Sequence, residues 1–261
     1  MLIGLCTSAI ASAKSVASAA LDYVEENVQS FLAPENPVNE FDQRLVQASA
    51  CARNIVAANC FLPGALKCTG PKIDEIRILA YAGEAFRRAR RTGIDTIVFG
   101  SGVARALTDG FSNAHAGEQF VALLTKLGPI AARHDVTVVV EPLNRGECNF
   151  INTLDEGAEV VRRVDHPNIR LLADLFHMLR NDETPDAIRR HGDLLAHTHI
   201  AEKETRSAPG VKGDDFRPFL TALRAAGYDR RLSLECGFGN LAVELPESLV
   251  ALRRQLRDAG Y

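Results

Sequence analysis

No uninterrupted apolar stretch in the 261 residues approaches the roughly 20 that a membrane-spanning helix needs, so no membrane partner is expected. No C-x-x-C pair occurs either. The six cysteines, at positions 6, 51, 60, 68, 148 and 236, are scattered, which speaks against a disulfide framework and against a thiolate zinc site. Reduced thiols in a cytoplasmic protein are the expectation. Neither sign of charge is in excess: 30 Lys and Arg face 33 Asp and Glu, a net charge of -3, so nothing global attracts nucleic acid or an anionic membrane. Small neutral substrates stay open. No internal repeat, low-complexity tract or proline-rich linker divides the chain, so one domain over residues 1–261 is expected. The first residues, MLIGLCTSAIASAKS, are apolar and small like a secretion signal. No positive residue precedes the apolar run, however, and Lys14 falls late, so no such signal is expected.

With 46% hydrophobic and 24% charged residues, the chain has an ordinary globular composition and enough apolar matter for a substantial core. Its organisation is an alternation. Short β-rich runs at residues 1–7, 21–25, 54–59, 96–100, 137–141, 169–174, 195–201 and 232–235 are separated by loops and by segments of helical periodicity. The helical segments span residues 74–92, 117–133, 153–164, 186–191, 214–226 and 245–259, with Asn152 expected as an N-cap and Gly227 as a C-terminal stop. Eight βα units in this length predict an α/β fold, a single-domain (β/α)8 TIM barrel, with a doubly wound sheet as the alternative. The glycine-rich FGSG at residues 99–102 lacks dinucleotide-binding spacing and is read as a barrel loop.

Four strand ends carry metal-competent side chains. VVVEPLNR places Glu141 after the fifth strand, LLADLFHM places Asp174 after the sixth, AHTHIAE places His199 in the seventh, and LSLEC places Glu235 at the end of the eighth. In a barrel these ends are neighbours on the rim where active sites form. Three carboxylates and an imidazole make an oxygen-rich set suited to one divalent ion, Mn2+ first and Mg2+ or Co2+ next. Without a cation the three negative charges would repel one another. Each residue alone has a structural alternative: Glu141 or Asp174 as a helix cap, His199 as a core histidine bonded to a carbonyl, Glu235 as half of a buried ion pair. His197, two residues before His199, would lie one layer deeper in the barrel and serve a structural role.

The phrases VEPLNRGE, LLADLFHM, HTHIAE and LSLEC, in this order, resemble the xylose isomerase-like TIM-barrel superfamily. Within it they are most similar to sugar phosphate isomerases/epimerases and to ketose 3-epimerases of the D-tagatose and D-psicose type. The resemblance implies that Glu141, Asp174, His199 and Glu235 are the metal ligands. It also implies that Glu147 and His177 contact substrate. In those epimerases an arginine follows the ligand histidine at a fixed distance; that position here is Thr205, and a one-residue insertion would give the role to Arg206. NCFLPG near Cys60 and FGSGVAR with Arg105 fall where pocket-lining loops belong.

The activity so implied is metal-dependent proton abstraction next to a carbonyl, through an enediolate, in carbohydrate metabolism. Glu141 and Glu235 acting from opposite faces would epimerise a ketose at C3, and return of the proton to the neighbouring carbon would isomerise it. Hydroxypyruvate isomerase and inosose dehydratase are the alternatives on the same barrel. An apurinic-endonuclease-like repair enzyme fits less well, because strands three and four end in Asn59 and Ser101 and residues 213–216 read GDDF, without the extra zinc-binding histidines. A non-catalytic sugar-binding barrel would not need the quartet. The segment 111–115 has no basic cluster for a phosphate, so an unphosphorylated sugar is expected, and the resemblance implies a homodimer or homotetramer.

Overall fold

Runs such as TVVV at residues 137–140 are β-branched throughout and buried on both faces, the pattern of strands covered on each side. The computed structural model, which describes residues 1–261, contains eight of them: β1 (Leu2–Cys6), β2 (Tyr23–Asn27), β3 (Asn54–Asn59), β4 (Thr96–Phe99), β5 (Thr137–Val140), β6 (Ile169–Asp174), β7 (Leu195–Ile200) and β8 (Arg231–Leu234). Each pairs in parallel with the next, and β8 pairs with β1, so the sheet closes into a barrel in sequence order. The doubly wound alternative is thereby excluded.

Helices cover the barrel: α1 (Ala13–Ser18), α2 (Val38–Ala48), α3 (Glu75–Thr92), α4 (Gly102–Arg105), α5 (Asn113–Ala132), α6 (Leu154–Val164), α7 (Leu175–Arg180), α8 (Pro185–His191), α9 (Arg217–Ala225) and α10 (Leu241–Asp258). No helix is long and apolar enough to cross a membrane. All six cysteines are unpaired.

Local chemistry sets the helix ends. Thr153, not Asn152, caps α6: its side chain accepts the Glu156 N–H, and Glu156 reaches back to the Thr153 backbone in a capping box. The Asn152 side chain instead donates to the carbonyls of Leu143 and Cys148, tying down the loop after β5. Two further expectations shift. β2 begins and ends two residues later than expected, and the short helices α1, α2 and α7 lie where the sequence pattern gave none.

The apolar interior has two compartments. A cluster of 70 buried residues lies mainly between strands and helices, while Val98, Val139 and Leu172 form a separate small cluster. These three lie on β4, β5 and β6. The inward residues of β2, β7 and β8 are polar: Tyr23, Glu25, His197 and Ser233 are all buried and hydrogen-bonded to one another. Buried polar groups must find partners, and these four do so largely among themselves, His197 Nδ1 being the atom left over.

Candidate metal centre and active site

Strand order places β5, β6, β7 and β8 side by side, and Glu141, Asp174, His199 and Glu235 stand at their C-terminal ends. One potential ligand atom from each lies within 4.8 Å of every other. Glycine makes the space. A Cβ at Gly100, just after β4, would fall 2.1 Å from Glu141 Oε2, so any larger residue there would displace that carboxylate.

The donor set fits a divalent cation on its hydrogen bonding. Glu141 Oε1, Asp174 Oδ2 and His199 Nδ1 are buried and make no hydrogen bond, an arrangement that is costly unless another group satisfies them. His199 Nδ1 faces Glu141 Oε1 at 3.2 Å and Glu235 Oε2 at 3.5 Å. Asp174 divides its oxygens: Oδ1 accepts the Phe176 N–H as the cap of α7, and Oδ2 is left for the site.

The electrostatics ask for the same charge. Burial pushes Glu141 above the ordinary carboxylate range and Asp174 up to about 6. Burial also pushes Glu235 upward, but the charges of His199 and Arg206 outweigh it and hold this carboxyl at about 2. For His199, burial disfavours the proton, yet Glu25 and Glu235 raise its affinity well above the histidine norm. A positive charge at the centre of the quartet is what these groups favour.

Glu25 escaped the sequence reading. It lies mid-strand in β2, fully enclosed, and accepts from His199 Nε2 at 3.0 Å, His197 Nε2 at 2.7 Å and the Ser233 hydroxyl at 2.6 Å. Burial opposes its charge, but the two histidines hold it well below the usual carboxylate range. By taking the Nε2–H of His199, Glu25 fixes the ring so that Nδ1 points at the carboxylates. His197 sits one layer below His199, as expected from the strand period, with Glu25 between them as acceptor. The signal that could have found Glu25 is a carboxylate inside a strand whose neighbours are all buried.

The expected substrate contacts surround the same point. His177 Nδ1 accepts from the Asn144 backbone N–H at 3.1 Å and from Asn144 Nδ2 at 2.8 Å, so its proton resides on Nε2. Burial lowers its pKa, which keeps the ring neutral, and Nε2 makes no hydrogen bond, with Asp174 Oδ2 3.4 Å away. Asn144 also donates to Glu147 Oε1 at 2.9 Å. It therefore positions both groups, a role not assigned from sequence although it stands in the EPLNRGE phrase.

Arg206 adopts a left-handed backbone, φ 50°. Its guanidinium bonds Glu147 Oε1 at 3.1 Å and Glu235 Oε2, and lies 4.6 Å from the Phe176 ring centre. The loop that carries it is organised by Glu202. That carboxylate is fully buried and accepts the backbone N–H groups of Gly210, Lys212, Gly213 and Asp214.

Cys60 lines the cavity above the quartet, whereas Arg105 does not. Arg105 is fully buried, and its guanidinium donates to the carbonyls of Phe99 and Glu141, clasping the ends of β4 and β5. Its place in the FGSGVAR loop is that of a fastener.

Known proteins share this architecture. A 3-dehydro-D-guloside 4-epimerase of Escherichia coli K12 is 35% identical over 106 residues, 40% of this chain and 40% of that protein. A D-psicose 3-epimerase of Ruminiclostridium cellulolyticum is 34% identical over 119 residues, 45% of this chain and 40% of that protein. The matches thus span less than half the length of these curated relatives. The crystal structure of D-psicose 3-epimerase with D-tagatose from Clostridium cellulolyticum H10 superposes with a TM-score of 0.83 at 20% identity, covering 98% of this chain and 99% of the other, which shows a common fold. Residues 13–257 match the model of one family along nearly the whole sequence. The chain belongs to the xylose isomerase-like TIM barrel family.

Proposed function

We propose that this protein is a divalent-metal-dependent sugar epimerase that inverts the carbon next to a ketose carbonyl, most simply C3. The observation that carries this reading is the convergence of Glu141 and Glu235, from β5 and β8, on one point beside the free Nε2–H of His177. The epimerases among its relatives support the same class.

Glu141, Asp174, His199 and Glu235 would hold the cation. When bound, it would supply Lewis-acid stabilisation of the negative charge that develops on the substrate oxygens. All other steps belong to the chain. One glutamate of the pair takes the proton from the carbon, and the other returns a proton to the opposite face. After turnover the first glutamate is protonated and the second ionised, and the same pair runs the reverse reaction with roles exchanged. His177 donates its Nε2–H to a substrate oxygen. Arg206 donates to another, and Glu147 accepts from a hydroxyl. The lining offers Arg206 as its sole Lys or Arg, which suits an unphosphorylated sugar. We infer Mn2+ as the ion from the oxygen-rich donor set, and we assign the protein to the cytoplasm as a homodimer or homotetramer.

The test is a panel of free and phosphorylated ketoses incubated with Mn2+-loaded protein, read by product stereochemistry. Formation of the C3 epimer of a free ketose is the expected result. An aldose product would move the protein to the isomerases, and loss of water from the sugar to the dehydratases.

A further inference from the structure

The cavity above the quartet is larger than the chemistry requires. Its volume is about 810 Å3. A hexose has about twelve heavy atoms, and at no more than the ~30 Å3 that a water molecule occupies in the liquid it needs under roughly 360 Å3. One sugar ring therefore leaves room beside it, in a cavity that is open to solvent at its mouth.

The cavity extends to the side of β1 and β2, across the mouth from Glu141 and His177. Its walls there come from the segments after those strands: Thr7 and Ser8 in the loop after β1, and Gln29 and Ser30 in the π-helical turn Val28–Leu32 after β2. Of the cavity's 23 lining residues only 6 are hydrophobic. An apolar occupant would leave polar walls unpaired, so the wing calls for a hydroxylated one.

Several donors and acceptors there are already oriented. Asn27 Oδ1 accepts the Ser30 N–H at 3.0 Å, and Gln29 Nε2 donates to the carbonyls of Cys60 and Leu62 at 2.8 and 3.3 Å. These bonds fix both amides and leave Asn27 Nδ2, Gln29 Oε1 and the Ser30 hydroxyl for a ligand. The charged residues on this side are both acidic, Glu25 beneath His199 and Glu26. Glu26 is buried, and it accepts from the Ala9 and Asn27 backbone N–H groups at 2.5 and 3.1 Å. With no cation to receive a phosphate, the wing fits a neutral polyol.

The geometry points to a second sugar subsite in this wing, making the preferred substrate a neutral ketose that carries a further sugar ring rather than a free monosaccharide. The proposal deepens the epimerase reading and rests on it for which end of the substrate reacts.

The test compares D-fructose with three disaccharides, maltulose, leucrose and isomaltulose, in which a glucosyl ring is attached to fructose while C3 and the carbonyl stay free. Calorimetry of the Mn2+-loaded protein gives affinity, and deuterium uptake from D2O in the same samples gives proton abstraction. At least one disaccharide is expected to bind about tenfold or more tightly than fructose. Ser8→Phe, on the loop after β1, and Ser30→Phe, in the π-helical turn Val28–Leu32, both at exposed positions, are each expected to cut that preference about tenfold. Equal or weaker binding of all three disaccharides overturns the subsite, as does a preference that both variants leave intact. A disaccharide preference without deuterium uptake from any sugar keeps the subsite and overturns the epimerase reading. Uptake from fructose without such a preference does the reverse.

Discussion

The two ends of the barrel are built from the same strands and resolve their polar groups in opposite ways. At the N-terminal end, Arg231 of β8 reaches across to Asp95 before β4, with Nη1 to Oδ1 at 2.5 Å and Nη2 to Oδ2 at 2.7 Å, and its guanidinium lies 5.8 Å from the Tyr23 ring centre. The pairing is complete. At the C-terminal end, Glu141 Oε1, Asp174 Oδ2, His177 Nε2 and His199 Nδ1 are buried without hydrogen bonds. A fold that satisfies one mouth and leaves the other open has reserved the second for something it binds.

Substitutions at the two mouths should therefore separate activity from stability. The largest effect is expected from Glu141→Gln and Glu235→Gln, each lowering kcat on the order of 10³-fold while the circular dichroism spectrum is retained. Near-normal turnover in either would remove the two-glutamate mechanism. Gly100→Ala comes next: the new Cβ would press on Glu141 Oε2, and a loss of roughly 10²-fold in kcat/KM is expected from the misplaced carboxylate. Glu25→Gln should weaken Mn2+ binding by about 10- to 100-fold, because the amide cannot accept from both histidines and the serine at once. Mn2+ affinity equal to wild type would show that Glu25 does not orient His199.

The smallest effect belongs to the closed mouth. Asp95→Asn should cost up to about 1 kcal/mol, since Asp95 is half exposed, and lower Tm by about 2–4 °C with kcat unchanged. Burial raises the Asp95 pKa, but its bonds with Arg231 outweigh this and lower it below the ordinary value. A depressed acid stabilises above its unfolded pKa, about 3.9, and loses that contribution as pH falls through the folded value. The Tm gap between wild type and variant should close below about pH 4; a gap constant from pH 7 to pH 3 would contradict the assignment.

The same contrast shows what could be read from the sequence. The barrel was legible because each strand is a short buried run between turn residues, and Glu141, Asp174, His199 and Glu235 were legible because they terminate such runs. Helices α1 and α2 were not, one being a short Ala- and Ser-rich turn and the other lying close behind Pro34 and Pro37. From the sequence Glu25 stands at the end of its strand, and the two-residue shift of β2 places it in mid-strand beneath His199. Asn144, Gly100 and Glu202 act through backbone contacts or absent atoms. Such roles have no sequence period and appear only when distant segments meet.

The central claim is that the open mouth is a divalent cation site. Calorimetric titration of the metal-free protein with Mn2+, alongside Asp174→Asn, tests it directly. One ion per chain, with affinity lost in the variant, is the predicted result. No binding, or binding that Asp174→Asn leaves unchanged, would contradict it.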